Sequence, residues 1–574
     1  MNYDHLLGHI DILRNSKVIG IDTETTGLDP LQNRIRLIQI ATPNYPVIIF
    51  DMWKIDEPTI GFLREMMNSD AIKVFQNAKF DIKFLRQENL PVAGKIFDTY
   101  IAGQLLRQKN GLARFGLDSL VDHYLSIHLS KEQQRSNWNG SLTMEQYKYS
   151  AKDAAVLIPL RKVMFRDLQL ENLINVAKIE FGCLFAVAEM ELAGIRLDLG
   201  KWRELGEQLE RQKEMYSDLL KEELRKPVVQ LSLFEDDEPT NPNFDSPKQM
   251  LQALKNMGIP IKKTSRSHLL PLSSQFPVIE HLIGYRKATK VLQSFIYTIP
   301  KAVHPVTGRV HPRYHQMGTL TGRFSCSHPN LQQIPRDPRF RRCFVPKPGY
   351  NLVIADYSQI ELRVVAEISE DQTMIEAYRT GQDLHRLTAA IISNKEMDKV
   401  TKKDRQAAKA INFGLIYAMG ANRLHRYAET TYGVAMTLEE AELFRNRFFQ
   451  AYTGVERWHK TVMKSKPTVS ETLGGRKQRW SGNIGASGLY NWPVQGTAAD
   501  IVKQAMADLY LNLKGSRAKI IGMVHDELIL EAPHDEAGRT AEILKGTMEQ
   551  AGSKYLSNIP VIAETSIAEN WAGK

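Results

Sequence analysis

The chain has 574 residues, of which 43% are hydrophobic and 24% charged, with three cysteines and a formal net charge of +10. That length exceeds what one core usually supports, so two or more domains are expected in a soluble protein of ordinary composition. No apolar run approaches the roughly 18 residues of a membrane span and no signal pattern opens the chain, while Cys183, Cys326 and Cys343 show neither close pairing nor metal-ligand spacing, which argues against a membrane protein, a disulfide framework and a zinc site.

The basic balance, with a pI near 9.1, favours a polyanionic partner such as nucleic acid, and the expected compartment is the cytoplasm. Short β-rich runs (KVIGIDTE, RIRLIQIA, PVIIFD) interleave with helical segments at the start, predicting an α/β domain that ends near 165–175. Within it, VIGIDTETTGL (18–28) sets Asp22 and Glu24 two residues apart at the end of an apolar strand. A side-chain period of two turns both carboxylates to one side. Asn77 and Asp81 in QNAKFDIKF, and Tyr149 and Asp153 in YKYSAKDAA, are spaced by four, which places each pair on one helix face. Any one of these acids alone reads as a helix cap or a solvated surface residue. Four that converge repel one another unless divalent cations sit among them, and two cations about 3.5–4 Å apart suit phosphodiester cleavage.

From 167 to 225 the periodicity is helical and charged. The acidic stretch LSLFEDDEPTNPNFDSP predicts an exposed loop, followed by a helix over 247–257. A β-rich block begins near 303, and YNLVIADYSQIELRVVAEIS (350–369) ends an apolar strand on Asp356. Helices are predicted over 371–465. Among them, KKDRQAAKAINFGLIYAMG (402–420) spaces Arg405, Lys409, Phe413 and Tyr417 by four. At about 100° per residue they form a slowly drifting stripe on one helix face. Two cations followed by two rings suit phosphates and then a stacked base. Core packing explains the rings equally well but leaves Arg405 and Lys409 in need of buried partners. Gly414 and Gly420 suit close approach of a ligand or another backbone. Near the end, His525-Asp526-Glu527 interrupts the hairpin-like pair AKIIGMV and ELILEAP. Burying three ionisable groups costs several kcal/mol unless charge is needed there. Asp356 and Asp526, brought together by one sheet, would form a second divalent-metal clamp.

The first set resembles the 3′→5′ proofreading exonuclease fold with four metal-binding acids, in the subtype where a tyrosine precedes the last acid. The resemblance implies that Asp22, Glu24, Asp81 and Asp153 hold the metals and that Tyr149 orients the attacking water. It also implies that Leu28 wedges against the terminal base, with Gln76 and Asn77 near the substrate strand. The remainder resembles family A DNA polymerases through DYSQIELR (356–363), RQAAKAINFGLIY (405–417) and VHDE (524–527), in the family's order. YHQMGTLTGRFSCSHPNLQQIP, DLHRLTAA, ETLGGRKQR, NWPVQGTAADIVKQAM and NWAGK support it.

The implied fold is an α/β exonuclease domain (RNase H-like, mixed sheet) over 1–166 and an α+β right-hand polymerase domain over 167–574. The thumb would span about 185–310, the palm about 311–370 and 495–574, and the fingers about 371–494. The resemblance implies that Asp356 and Asp526, helped by the backbone carbonyl of Tyr357, bind two Mg²⁺, with Mn²⁺ as a substitute. Arg405 and Lys409, with His385 nearby, would grip a deoxynucleoside triphosphate. Phe413 and Tyr417, with Gln359, would line its pocket, and Glu361 would block a ribose 2′-OH. Phe413, where some relatives carry Tyr, implies discrimination against dideoxynucleotides. Arg323, Asn491, Gln495 and His525 would contact primer–template DNA, and Glu527 would be a nearby, less essential acid.

Several features depart from the pattern. Met1 lies only 21 residues before Asp22, so no N-terminal 5′ nuclease domain is expected. LQQIP (331–335) stands where many relatives have LQNIP, which weakens Gln333 as a contact, and YAMGANRL (417–424) departs from a YGMS-type continuation. In the acidic loop, Gln230-Leu231-Ser232-Leu233-Phe234 resembles the peptide by which bacterial proteins dock on the sliding clamp. Gln230, Leu231, Leu233 and Phe234 therefore imply a clamp as a further partner of a monomer with no membrane attachment, in a bacterium or in a virus within one. The alternative is that these apolar side chains fold back on the thumb helices. A single-subunit RNA polymerase shares the three polymerase motifs, but Glu361 and the exonuclease set argue against it. A binding scaffold with decayed sites is disfavoured because every expected carboxylate is present.

Overall fold

The computed structural model describes residues 3–225, 242–482 and 484–574; the clamp-like segment 230–234 lies outside them. β1 (Val18–Thr25), β2 (Ile35–Ala41), β3 (Ile48–Asp51), β4 (Ile72–Phe75) and β5 (Ile96–Asp98) make one sheet in the order β3-β2-β1-β4-β5. The β1–β2 and β2–β3 pairs are antiparallel, whereas β1–β4 and β4–β5 are parallel. This is the mixed sheet of the expected α/β domain. β2 is buried along its whole length, Arg36 and Gln39 included, as a strand covered on both faces requires. Along β1, Ile19, Ile21 and Thr23 are buried while Asp22 and Glu24 are less so, the period of two that the sequence carries.

Two helices complete that site. α1 (Ala78–Gln87) carries Asp81, and α2 (Met144–Ala155) carries Tyr149 and Asp153. α2 starts with a capping box: Thr143 accepts the Gln146 N–H at 3.3 Å and the Gln146 side chain accepts the Thr143 N–H at 2.9 Å. Asn77 corrects its expected place on the Asp81 helix. It lies just ahead of α1 with φ of 60°, because the buried Asp98 carboxylate accepts the N–H groups of Asn77 (3.0 Å) and Ala78 (2.9 Å). Those donors need no further helical turn.

The helix Leu157–Leu170 runs across the expected domain boundary at 166, and α3 (Ile174–Ala193) follows it. α3 touches both halves of the molecule. Glu180 on α3 pairs with Arg476 and Lys503, both at 2.5 Å, and accepts from Gln316 at 3.0 Å; Arg476 also reaches Asp500 at 2.7 Å. All are buried. Removing one partner from such a cluster strands a charge and costs about 3–5 kcal/mol, so the cluster fixes the seat of α3. At the other end of α3, Glu191 takes Lys79 (2.6 Å) and Lys83 (2.8 Å) of α1.

In the second half, α4 (Leu199–Arg225) packs on α5 (Pro277–Val291). β6 (Tyr350–Tyr357) leads into α6 (Ile360–Ser369), then α7 (Leu384–Ser393), α8 (Lys402–Leu415) and α9 (Ala486–Asn512). β7 (Lys519–Val524), β8 (Glu527–Pro533), α10 (Ala537–Ser553) and β9 (Ala563–Ala568) close the chain. The four strands form an antiparallel sheet in the order β7-β8-β6-β9. The stripe helix is shorter than its spacing predicts: α8 ends at Leu415, and Tyr417 follows in a turn with Ala418 at φ 56°. Gly414 serves packing rather than a ligand, since a Cβ there would lie 2.5 Å from Leu424 Cδ1. Gly420 has open space around it and caps the helix Ala421–Tyr432. Cys183, Cys326 and Cys343 are free and buried. Among the described residues no helix is long and apolar enough to cross a membrane.

Candidate active sites

The first site gathers around the end of β1. Thr23 donates to Asp81 Oδ1 at 2.6 Å, tying α1 to the strand. Burial raises Asp22 well above its ordinary range, and Glu24, Asp81 and Asp153 push it the same way. Burial together with Asp153 and Asp81 lifts Glu24 to about 8. Burial likewise lifts Asp81 to about 7 and Asp153 to about 6, the latter opposed by a hydrogen bond from Tyr149. The Tyr149 hydroxyl is itself raised by burial and by Asp153. All four acids therefore feel one another, as the spacing predicts.

Leu28, on the β1–β2 loop, is 77% exposed. Gln76 is less available than expected: its amide donates to the Phe115 carbonyl at 2.8 Å and accepts from Thr99 at 2.5 Å. The sequence reading missed Asp118, whose charge acts on Asp153 and whose Oδ1 is buried without a hydrogen-bond partner. Its signal was faint, a single acid in a helix-start pattern.

The second site is a product of strand register. Asp356 pairs with Glu527 across β6 and β8, so the two-residue turn before Glu527 delivers His525 and Asp526 beside the end of β6. His525 takes a φ of 62° to make that turn, and the Tyr357 N–H donates to the Asp526 carbonyl at 3.4 Å. Burial and the neighbouring Asp356 lift Asp526 to about 7. Asp356 Oδ1 is buried with no partner. An orphaned carboxylate oxygen next to a raised carboxyl suits a cation. Among the described residues no three His, Cys, Asp or Glu side chains already form a closed ion cage.

Glu527 differs from its neighbour. It accepts from Trp571 Nε1 at 2.6 Å and pairs with Arg341 (3.2 Å) and Lys574 (3.0 Å), so its charge is satisfied within the protein. Lys574 also binds Asp356. The closing NWAGK hinted at this segment but not at its contact with the acids.

The stripe lies on the less buried face of its helix. Arg405, Lys409, Phe413 and Tyr417 are half-buried, whereas Ala408, Ala410–Asn412 and Gly414–Ile416 behind them are buried. Arg405 pairs with Asp383 at 2.7 Å, the residue that caps α7, and Arg336 and Arg405 add to burial in lowering Lys409. Burial, then Arg405, lowers His385 to about 4, so it is a neutral imidazole, held 2.9 Å from the Asn412 amide. Glu361 sits between Arg323 and the Tyr417 hydroxyl, bonded to both. Gln359, at φ 56°, accepts from Tyr378 at 3.2 Å. Asn491 and Gln495 share one less-buried face of α9, and Asn491 Oδ1 is buried without a partner.

The raised acids give a pH signature with a definite sign. Unfolded carboxyls ionise near 4, whereas Glu24 in the fold ionises near about 8. Between those values the folded state holds more protons, so its metal-free stability falls as pH rises from about 5 to about 8. Mg²⁺ is expected to reverse the loss. Thermal unfolding in chelator at both ends of that window checks this, and an equal pH slope in Asp22→Asn/Glu24→Gln would contradict it.

Residues 210–573 match the family model described as DNA polymerase family A, and residues 2–169 match the one described as 3′-5′ exonuclease. The chain is 34% identical to DNA polymerase I of Aquifex aeolicus over the full length of both proteins. It is 31% identical to DNA polymerase I of Chloroflexus aurantiacus over 97% of this chain and 62% of that protein. Among solved structures, it is similar to the POL domain of Pol1 from M. smegmatis in complex with DNA primer-template and dNTP. That likeness has a TM-score of 0.84 and 25% identity over 99% of this chain and 98% of that one.

Proposed function

Because the chain belongs to DNA polymerase family A and carries a 3′-5′ exonuclease domain, we propose that it extends a DNA primer at Asp356 and Asp526 and trims mismatched 3′ ends at Asp22, Glu24, Asp81 and Asp153. The observation that carries this reading is the hairpin register that sets Asp526 beside Asp356, whose Oδ1 lacks a partner. Asp356 and Asp526, with the Tyr357 carbonyl, would hold divalent cations at one site and the four clustered acids at the other. Bound there, Mg²⁺ supplies the Lewis acidity that makes a 3′-OH or a water nucleophilic and steadies the leaving oxygen.

The chain's own residues do the rest. Arg405 exchanges Asp383 for the triphosphate, Lys409 adds a second cation, and neutral His385 donates without adding charge. Phe413 and Tyr417 line the base and sugar. Glu361, held in place by its bond to Tyr417, stands where a ribose 2′-OH would need room, so selection is steric. Arg323, Asn491, Gln495 and His525 contact the primer–template, and the unpaired Asn491 oxygen is a ready acceptor. In the other site Tyr149 holds the attacking water against Asp153, while Leu28, with Asn77 beside it, meets the frayed base. With DNA as substrate, the activity belongs in the bacterial cytoplasm. No 5′ nuclease step is assigned to this chain. Gln230, Leu231, Leu233 and Phe234 dock a sliding clamp on this reading, which rests on the motif.

One primer-extension assay tests these assignments together. With Mg²⁺ and deoxynucleotides, matched primers lengthen at once and mismatched primers shorten before they lengthen. Ribonucleotides alone extend poorly, by roughly a hundredfold. A clamp lengthens products unless Leu233 and Phe234 are alanine. Ribonucleotide use equal to deoxynucleotide use would refute the polymerase reading, and clamp-dependent length that survives the double substitution would refute docking.

A further inference from the structure

The β1–β2 loop that presents Leu28 is organised around Asp29. Asp29 Oδ1 accepts the Leu31 N–H at 2.9 Å, its own N–H donates to Asn33 Oδ1 at 3.2 Å, and its carbonyl takes the Asn33 N–H at 2.8 Å. One end of the loop is pinned by Arg34, whose guanidinium meets Glu88 through two bonds of 2.6 Å. The remaining oxygen, Asp29 Oδ2, accepts from Gln32 Nε2 at 3.3 Å and meets a residue from the other half of the molecule: His304 Nε2 lies 2.9 Å away. Gln32 of the same loop lies 2.9 Å from that nitrogen.

The chemistry of His304 is set by its own turn. Its Nδ1 accepts the Val306 N–H at 3.3 Å, which leaves the ring proton on Nε2, facing Asp29. Behind it stands His311, edge-on with ring centroids 5.6 Å apart, fixed by the Glu191 carbonyl at 2.8 Å and Thr307 at 2.7 Å. Glu191 is the residue that grips Lys79 and Lys83 on α1, the helix that carries Asp81. One short relay, Glu191–His311–His304, thus touches both walls of the exonuclease site: the metal-binding helix and the loop of the exposed leucine.

We infer that His304 is a positioning residue of the polymerase half that holds the Leu28 loop in the conformation that engages a frayed 3′ end. The inference rests on the exonuclease reading above and deepens it. A loop carrying an exposed leucine has nothing apolar to anchor it, so the conformation has to be imposed by polar bonds, and His304, through Asp29 and Gln32, supplies bonds from outside the domain. The loop matters for prying a terminal base from its partner and not for hydrolysing a strand that is already single.

The test uses the full chain with two substrates, a 3′-mismatched duplex and a single-stranded oligonucleotide. His304→Ala is expected to slow excision from the duplex roughly tenfold, the loss of one hydrogen bond to a charged group. Hydrolysis of the single strand and primer extension stay unchanged. His304→Gln, whose amide nitrogen can reach Asp29, restores excision. Asp29→Ala, which also loses the bond to the Leu31 N–H, slows duplex excision at least as much as His304→Ala, and the double variant loses no more than Asp29→Ala. Wild-type duplex excision in His304→Ala, an equal loss on both substrates, or no rescue by Gln would each overturn the inference. Failure of the unmodified protein to hydrolyse either substrate would overturn the exonuclease reading and this inference with it.

Discussion

Asp526→Ala is expected to leave a protein that trims 3′ ends and cannot extend them. Asp526 stands in the turn that β6 and β8 hold against Asp356, and its carboxyl is lifted to about 7 by burial and by that neighbour. Without it, one oxygen-poor wall remains, and Asp356 alone offers too little negative charge to hold a divalent cation against water. Extension should fall at least about a thousandfold, equivalent to about 4 kcal/mol of lost transition-state stabilisation. The fold should not suffer, because removing one of two repelling acids relieves the metal-free state. Asp526→Asn keeps the shape, loses the charge and should be as inactive. Glu527→Gln is the informative contrast: Glu527 is already bound by Trp571, Arg341 and Lys574, so its loss perturbs the wall of the site without emptying it. Single-turnover primer extension decides the matter, and near-normal extension by Asp526→Ala would sink the assignment.

The mirror result is expected for Asp22→Ala: normal extension, with excision lowered at least about a thousandfold. Asp22 is raised well above its ordinary range by burial and by Glu24, Asp81 and Asp153 together. A small apolar side chain there removes a repulsive charge, so the metal-free protein should unfold at a higher temperature while losing the activity. That pairing of higher stability with lost excision marks a site strained for function. Tyr149→Phe keeps the ring beside Trp138 and removes only the hydroxyl that bonds Asp153, so it should cost roughly tenfold to a hundredfold. The two halves have separate hydrophobic cores, joined through α3 and through Tyr510 and Met317 at its side, so neither substitution should cross over. Paired excision and extension rates on one mismatched primer measure this directly, and extension lost along with excision in Asp22→Ala would defeat the two-site account.

Local periods determined much of this protein. Alternation along Val18–Thr25 put Asp22 and Glu24 on one side, spacing of four put Tyr149 and Asp153 on one face of α2, and the stripe from Arg405 to Phe413 lies along the less buried face of α8. These follow from backbone geometry that each segment carries in itself. Tertiary structure decided the rest. Asp356 and Asp526 meet only because β6 and β8 pair in one register and not its neighbour. Asn77 left its helix because Asp98 captured the first donors, and Gly414 made room for Leu424 and not for a ligand. The hold of Lys574 on Asp356, the buried Glu180–Arg476–Lys503 cluster and the reach of His304 to Asp29 join residues far apart in the chain. No local period encodes such meetings, because they depend on how whole elements pack, and packing is a property of the assembled core.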